Sequence, residues 1–343
     1  MKFGIFDHVD WGGAPLDRHF EDRLALVEAY DRLGFHGYHV AEHHGTPLGT
    51  APSPSLYLAA VAQRTMRIRL GPLVYLLPLY HPLRLIEEVC MLDQLSRGRL
   101  MLGVGRGVSP IETGFFGVAR DDLQSVYDET LEILLKGLTS DTLDHHGPLY
   151  RFEKVPMVMR PYQQPHPDLW YGVRSAESTL WAARNRVNVV TLASGERARP
   201  TMDLFRQEWE ALGRAGEPLP CMGLNRHIVV ADSDAEARDI ATRAYAVWRA
   251  SFIRLWVDHG HDPAIISYYP EHWAQMEQSR QGCAGTPDRV ADYVAREMVA
   301  SGCNYLVASM VFGDMTRDEA LNSARLTASR IVPRFAADTA ASN

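Results

Sequence analysis

Three short stretches of the 343-residue chain carry residue types suited to catalysis or ligand binding. The first is Glu42-His43-His44, a carboxylate and two imidazoles directly after the predicted strand 37–41. Ionisable side chains are costly to bury there unless they meet one another or a ligand, and an imidazole serves as acid, base or hydrogen-bond donor near neutral pH. Neighbouring residues at a strand end point to opposite faces, so His43 and His44 are not expected to share a metal ion, and no His-Glu-x-x-His helix follows. The second stretch, Gly103-Val104-Gly105-Arg106-Gly107, combines glycines that let backbone approach a ligand with a planar fork of donors. The third, Ser175-Ala176, opens a helical stretch whose unpaired N–H groups favour an anion. Stretches two and three form a candidate phosphate site; the alternative is that the glycines serve a tight turn and Arg106 pairs with a carboxylate. Neither matches a Walker or dinucleotide fingerprint. His145-His146 and the pair His259 and His261 read as solvated loop residues, whereas Trp11, Tyr75, Tyr80 and Phe115 are candidates for a pocket wall or for core.

These stretches need elements to hold them. Short β-branched or aromatic runs alternate with longer stretches at helical period, the mark of parallel β/α construction. Strands are predicted at 2–6, 37–41, 67–76, 100–104, 168–173, 187–192, 225–231 and 305–309. Helices are predicted at 17–33, 53–64, 82–96 and 121–138, then from 176, about 200, 234, 287 and 316. Ser53-Pro54 and Thr286-Pro287 give an N-cap with proline at the first helical position, and Thr316 with Glu319 gives a capping box. Eight such units predict a single α/β domain over 1–335, a (β/α)8 TIM barrel with insertions at about 139–167 and 259–285 and a tail at 336–343. An open doubly wound sheet is the alternative. Barrels do their chemistry at the C-terminal ends of their strands, where all three stretches fall.

Thirty-five Lys and Arg against 42 Asp and Glu leave a net charge of −7, so no basic field draws in nucleic acid or an anionic membrane. Asp7 and Asp10 interrupt any signal-peptide apolar region, and no apolar run reaches the roughly 18 residues of a membrane helix, so a cytoplasmic location is expected. Cys90, Cys221, Cys283 and Cys303 have neither Cys-x-x-Cys nor metal-ligand spacing and read as reduced packing residues.

Taken in order, Glu42-His43-His44, Arg64-Thr65-x-Arg67-Ile68-Arg69-Leu70-Gly71, His81-Pro82-Leu83-Arg84, Leu92-Asp93-Gln94-Leu95-Ser96-x-Gly98-Arg99, Gly103-x-Gly105-Arg106-Gly107 and Gly285-Thr286-Pro287 resemble the bacterial luciferase-like flavin monooxygenases over nearly the whole chain. The resemblance implies a (β/α)8 barrel that binds reduced FMN, with O2 as co-substrate, and oxygenates an organic molecule through a C4a-hydroperoxyflavin. It implies His43 as the catalytic histidine with His44 beside it, and Arg106, Ser175 and their neighbours Arg174 and Ser178 at the FMN phosphate. It also implies Glu42, Leu73, Val74, Tyr75 and Gly105 along the cofactor, with a cis peptide between Leu73 and Val74.

Two departures stand out. Luciferase carries a reactive cysteine where this chain has Gly105, and a second phosphate-binding arginine falls near Gln124, with Arg120 a possible substitute. The segment 259–285 would correspond to a mobile loop closing over the flavin. The function implied is a two-component monooxygenase supplied by a separate NAD(P)H:flavin reductase, acting on an apolar aldehyde or ketone and forming a homodimer. The alternatives are a deazaflavin-dependent hydride-transfer enzyme, a non-catalytic flavin-binding subunit and a metal-dependent hydrolase on the same barrel.

Overall fold

Alternation along each strand sorts the side chains into two cores. In the computed structural model, which describes residues 1–261 and 269–335, Phe3, Ile5, Tyr38, Val40, Leu102 and Val104 pack outward in the core shared with the helices. Their neighbours Phe6, Met101, Trp170, Tyr305 and Val307 form a smaller inner cluster. Such alternation between inside and outside is what a closed sheet requires.

The elements run β1 (Lys2–Asp7), α1 (Leu16–Leu33), β2 (Gly37–Val40), α2 (Pro54–Arg64), β3 (Arg69–Pro72), β4 (Tyr75–Leu76), α3 (Pro82–Ser96), β5 (Met101–Gly105), α4 (Pro110–Phe115) and α5 (Leu123–Thr139). There follow β6 (Thr142–His146), β7 (Arg151–Pro156), β8 (Asp168–Gly172), α6 (Ala176–Arg184), β9 (Asn188–Thr191), α7 (Gly195–Ala211) and β10 (Met222–Val230). The chain continues through α8 (Asp234–Asp258), α9 (Trp273–Gln278), β11 (Gly282–Gly285), α10 (Pro287–Ser301), β12 (Tyr305–Ser309) and α11 (Arg317–Leu326).

The main sheet has the order β3-β2-β1-β12-β10-β9-β8-β5-β4, with every pair parallel. β3 and β4 are successive pieces of one chain segment, and Leu70 bridges to Leu100, so the order returns on itself as a barrel. The predicted TIM-barrel architecture is the one observed. Its floor is sealed: the His39 ring lies 4.7 Å from Trp170 and its Nε2 is 2.9 Å from the Tyr305 hydroxyl. Burial drives the His39 pKa down to about 3, so this imidazole is neutral packing, and a ligand has to enter from the C-terminal end of the strands.

Four details differ from the sequence reading. The strand predicted at 67–76 is broken into β3 and β4 by a cis peptide between Leu73 and Val74. The insertion after α5 forms the antiparallel hairpin β6-β7. α7 starts at Gly195, ahead of the predicted start near 200, and carries Pro200 inside it. Within the second insertion 262–268 lie outside the described residues, but α9 follows and Gly282–Gly285 is an additional strand pairing with β10. Four glycine and alanine-sized residues give no β-branched signal, and burial on both sides makes that strand. Among the described residues no helix is long and apolar enough to cross a membrane, and all four cysteines are free and buried.

Candidate functional site

β1 and β2 carry the histidines to the barrel mouth. Phe6 points inward, so His8, two residues on, does as well, and the His8 ring lies stacked on His43, with centroids 5.7 Å apart and planes 22° apart. His43 Nδ1 is 3.2 Å from Glu112 Oε1, which also accepts the His44 backbone N–H at 2.8 Å. Glu112 comes from α4, whose start is set by Ser109 as N-cap, accepting from the Glu112 N–H, and by Pro110. Burial alone would raise the Glu112 pKa, but the His43 charge and the bonds from His43 and His44 outweigh it and hold the group below its ordinary value.

His44 turns the other way, with Nε2 2.9 Å from Glu42 Oε1. The second Glu42 oxygen accepts the Leu76 N–H and the Tyr80 hydroxyl, each at 3.0 Å. The two histidines therefore answer to different carboxylates, and only His43 lies against the mouth.

The anion candidates come from neighbouring strands. Val104 of β5 sits opposite Tyr171 of β8, so Arg106 and Arg174-Ser175 leave the sheet side by side. Arg106 is exposed, and its guanidinium rests on Gln124 Oε1 at 2.8 Å, which is in turn anchored to Asp128. Arg106 thus leans on a neutral amide and not on a carboxylate, and keeps its charge for a ligand. Ser175 and Ser178 form a reciprocal capping box at the start of α6, and Arg174 is exposed next to them. Arg120 is exposed in the turn before α5.

Close backbone approach explains the glycines of β5. A Cβ on Gly103 would lie 2.0 Å from the Pro72 carbonyl oxygen, and one on Gly105 would lie 2.4 Å from Val74 Cγ2. The cis Leu73–Val74 segment occupies the space a side chain at 105 would need, which accounts for glycine in place of cysteine. Leu73 packs against the inner cluster. Tyr75 does not: it is fully buried in the outer layer with its hydroxyl 2.8 Å from Ser55. Tyr75, Glu42 and His44 thus stand behind the mouth, while His43, Leu73, Gly105, Arg106, Arg174 and Ser175 are at it.

The family model of the luciferase-like monooxygenases matches residues 1–305. The chain belongs to that family. A flavin-dependent trigonelline monooxygenase, oxygenase component, of Acinetobacter baylyi is 30% identical over 245 residues, 69% of this chain and 67% of that protein. An uncharacterised protein, y4wF, of Sinorhizobium fredii is 40% identical over 97% of both chains. The crystal structure of monooxygenase RslO1 from Streptomyces bottropensis superposes with a TM-score of 0.88 at 27% identity, covering 98% of this chain and all of that one. This luciferase-like monooxygenase is an oxidoreductase whose strand ends hold the histidine and arginine stretches described above.

Two residues at this monooxygenase's mouth were not anticipated: His8 and Glu112. The first could have been found by counting two residues on from Phe6. Ser109-x-x-Glu112 has the spacing of a capping box, which points to a local role, whereas the Glu112 carboxylate reaches across to the strand-two loop.

Proposed function

We propose that this chain is the oxygenase component of a two-component system, taking reduced FMN from a separate NAD(P)H:flavin reductase and using O2 to oxygenate a small apolar aldehyde or ketone. The observation that carries this reading is the convergence of an available guanidinium, a capped helix start and a half-buried histidine paired with a buried carboxylate at one barrel end. The residues fit the cofactor. Arg106, the Ser175 and Ser178 hydroxyls and Arg174 would hold the phosphate, with Arg120 within the same loop region as Gln124. Leu73 and Val74, pressed against β5, offer an apolar support for a flat ring.

Reduced FMN, when bound, supplies the electrons for dioxygen activation. The protein's part is binding, orientation and proton handling. Glu112 accepts from His43 Nδ1, which leaves His43 Nε2 to exchange a proton at the mouth. The His39, Trp170 and Tyr305 plug keeps water from rising through the barrel. We further place the enzyme in the cytoplasm, in keeping with four free cysteines, and as a homodimer, supported by Met66, Met91 and Leu95 exposed around the paired helices α2 and α3.

The test is rapid mixing of protein and pre-reduced FMN with oxygenated buffer, following near-ultraviolet absorbance. A long-lived transient in the wild type that shortens in His43→Ala is expected. Tight binding of reduced FMN with no transient would instead favour hydride transfer with a deazaflavin, and absence of any flavin binding would end the proposal.

A further inference from the structure

The two stacked imidazoles at the mouth have partners of opposite and fixed character. Glu112 Oε1, in a carboxylate already taking the His44 N–H, can only accept, so the proton of a neutral His43 belongs on Nδ1 and Nε2 is bare. Trp248, from α8, presents an indole N–H, which can only donate, 3.4 Å from His8 Nδ1. The His8 proton therefore belongs on Nε2. His8 is further enclosed by Phe6, with centroids 4.8 Å apart, and by the Trp248 ring at 5.5 Å. Burial first, and then the neighbouring His43, His227 and Arg23, push its pKa well below the ordinary imidazole value, so it stays neutral.

We propose that His8 and His43 act as a pair locked in opposite tautomers, His43 taking a proton at Nε2 and His8 donating a hydrogen bond from Nε2 to an oxygen of the co-substrate O2, with Glu112 and Trp248 as their positioning residues. The functional half rests on the monooxygenase reading; the tautomers do not. One ring alone cannot offer a bare nitrogen and an N–H toward the same side. Two stacked rings of opposite tautomer can, and the pairing suits a reaction that removes a proton while negative charge gathers on a nearby oxygen.

The experiment is long-range proton–nitrogen NMR on flavin-free protein labelled with 15N-histidine, followed from about pH 7 to about pH 9.5 so that the tautomers are read where both rings are neutral. His43→Ala and His8→Phe assign the two rings. The wild type should show Nδ1–H for His43 and Nε2–H for His8. Trp248→Phe should turn His8 into a mixture without altering His43, and Glu112→Gln, whose amide both donates and accepts, should do the reverse. The same tautomer on both rings, or patterns that survive loss of both partners, overturns the proposal, and the wild-type spectrum decides if a variant does not fold. For the donor role, the near-ultraviolet transient should decay about 10-fold faster in His8→Phe, the loss of one hydrogen bond, and stay within about 3-fold of wild type in His8→Gln, which keeps an N–H. Equal decay in the two variants overturns that role. A wild type with no transient at all removes the monooxygenase reading while the tautomers still stand or fall on the spectra.

Discussion

Gly105 and Arg106 are adjacent yet answer to different demands. A side chain at Gly105 would collide with Val74, so Gly105→Ala should cost about 1–3 kcal/mol in urea unfolding, the ordinary scale for overpacking. Val74→Ala removes the colliding methyl, and the double variant should recover most of that loss; additive losses would show that the clash is not the cause. Arg106 packs on Gln124 and is otherwise exposed, so its loss should spare stability and strike binding. Arg106→Ala should weaken reduced FMN binding about 10- to 100-fold, the worth of one charge-assisted contact, and leave riboflavin, which lacks the phosphate, nearly unchanged. Equal weakening of both would remove Arg106 from the phosphate site. The identities of His43 and Arg106 as residues of interest could be read from the chain, because strand-end position alone singles them out. Glu112 could not, since its importance lies in what it touches 69 positions away, and His8 offered only its spacing from Phe6, its indole partner lying 240 positions away.

At the level of elements, legibility followed local chemistry. α10 and α11 start where Thr286-Pro287 and the Thr316/Glu319 box say they should, because a cap is decided within four residues. β11 escaped because Gly282-Cys283-Ala284-Gly285 has no strand propensity of its own and is a strand only by pairing with β10. The attachment of α10 to the barrel was equally hidden. Arg226 of β10 and Glu297 of α10 are both fully buried, 2.7 Å apart. Arg226 also donates to the carbonyls of Asn225 and Ala193, so one guanidinium ties β10 to α10 and to the turn after β9. Glu297→Ala would strand that charge in the core and should destabilise by about 3–5 kcal/mol in chemical denaturation. Replacing both residues by methionine should cost much less, because no charge is then left buried. A double variant no more stable than Glu297→Ala would mean that the packing, and not the unpaired charge, carries the loss.

The whole molecule closes its ring through a buried charge cluster beneath the mouth. Arg23 of α1 reaches Asp7 at 2.9 Å and Asp10 at 3.2 Å, the second Asp7 oxygen takes the Tyr38 hydroxyl, and Asp10 accepts the Gly313 N–H from the loop after β12. The first and last strands of the barrel are thereby joined through side chains as well as through the sheet. Two carboxylates face one guanidinium, so one negative charge is left over in a dry place. Burial raises the Asp10 pKa to about 6; Arg23 and the Gly313 N–H oppose this, and Asp7 adds to it. The sign of the effect on stability follows from proton counting. Between the unfolded value near 3.8 and the folded value near 6, the folded protein holds a proton that the unfolded chain has released. Stability from this group is therefore full below that window and lost as pH rises through it, by about 2–3 kcal/mol in all. Other carboxylates will superimpose their own acid dependence, so the comparison to make is with Asp10→Asn, which keeps an acceptor for Gly313 and has no proton to lose. The unfolding free energy of Asp10→Asn minus that of the wild type should grow between about pH 4 and pH 6 and level off above. A difference that stays flat across that window would mean Asp10 is ionised throughout, and that Arg23 neutralises both carboxylates unaided.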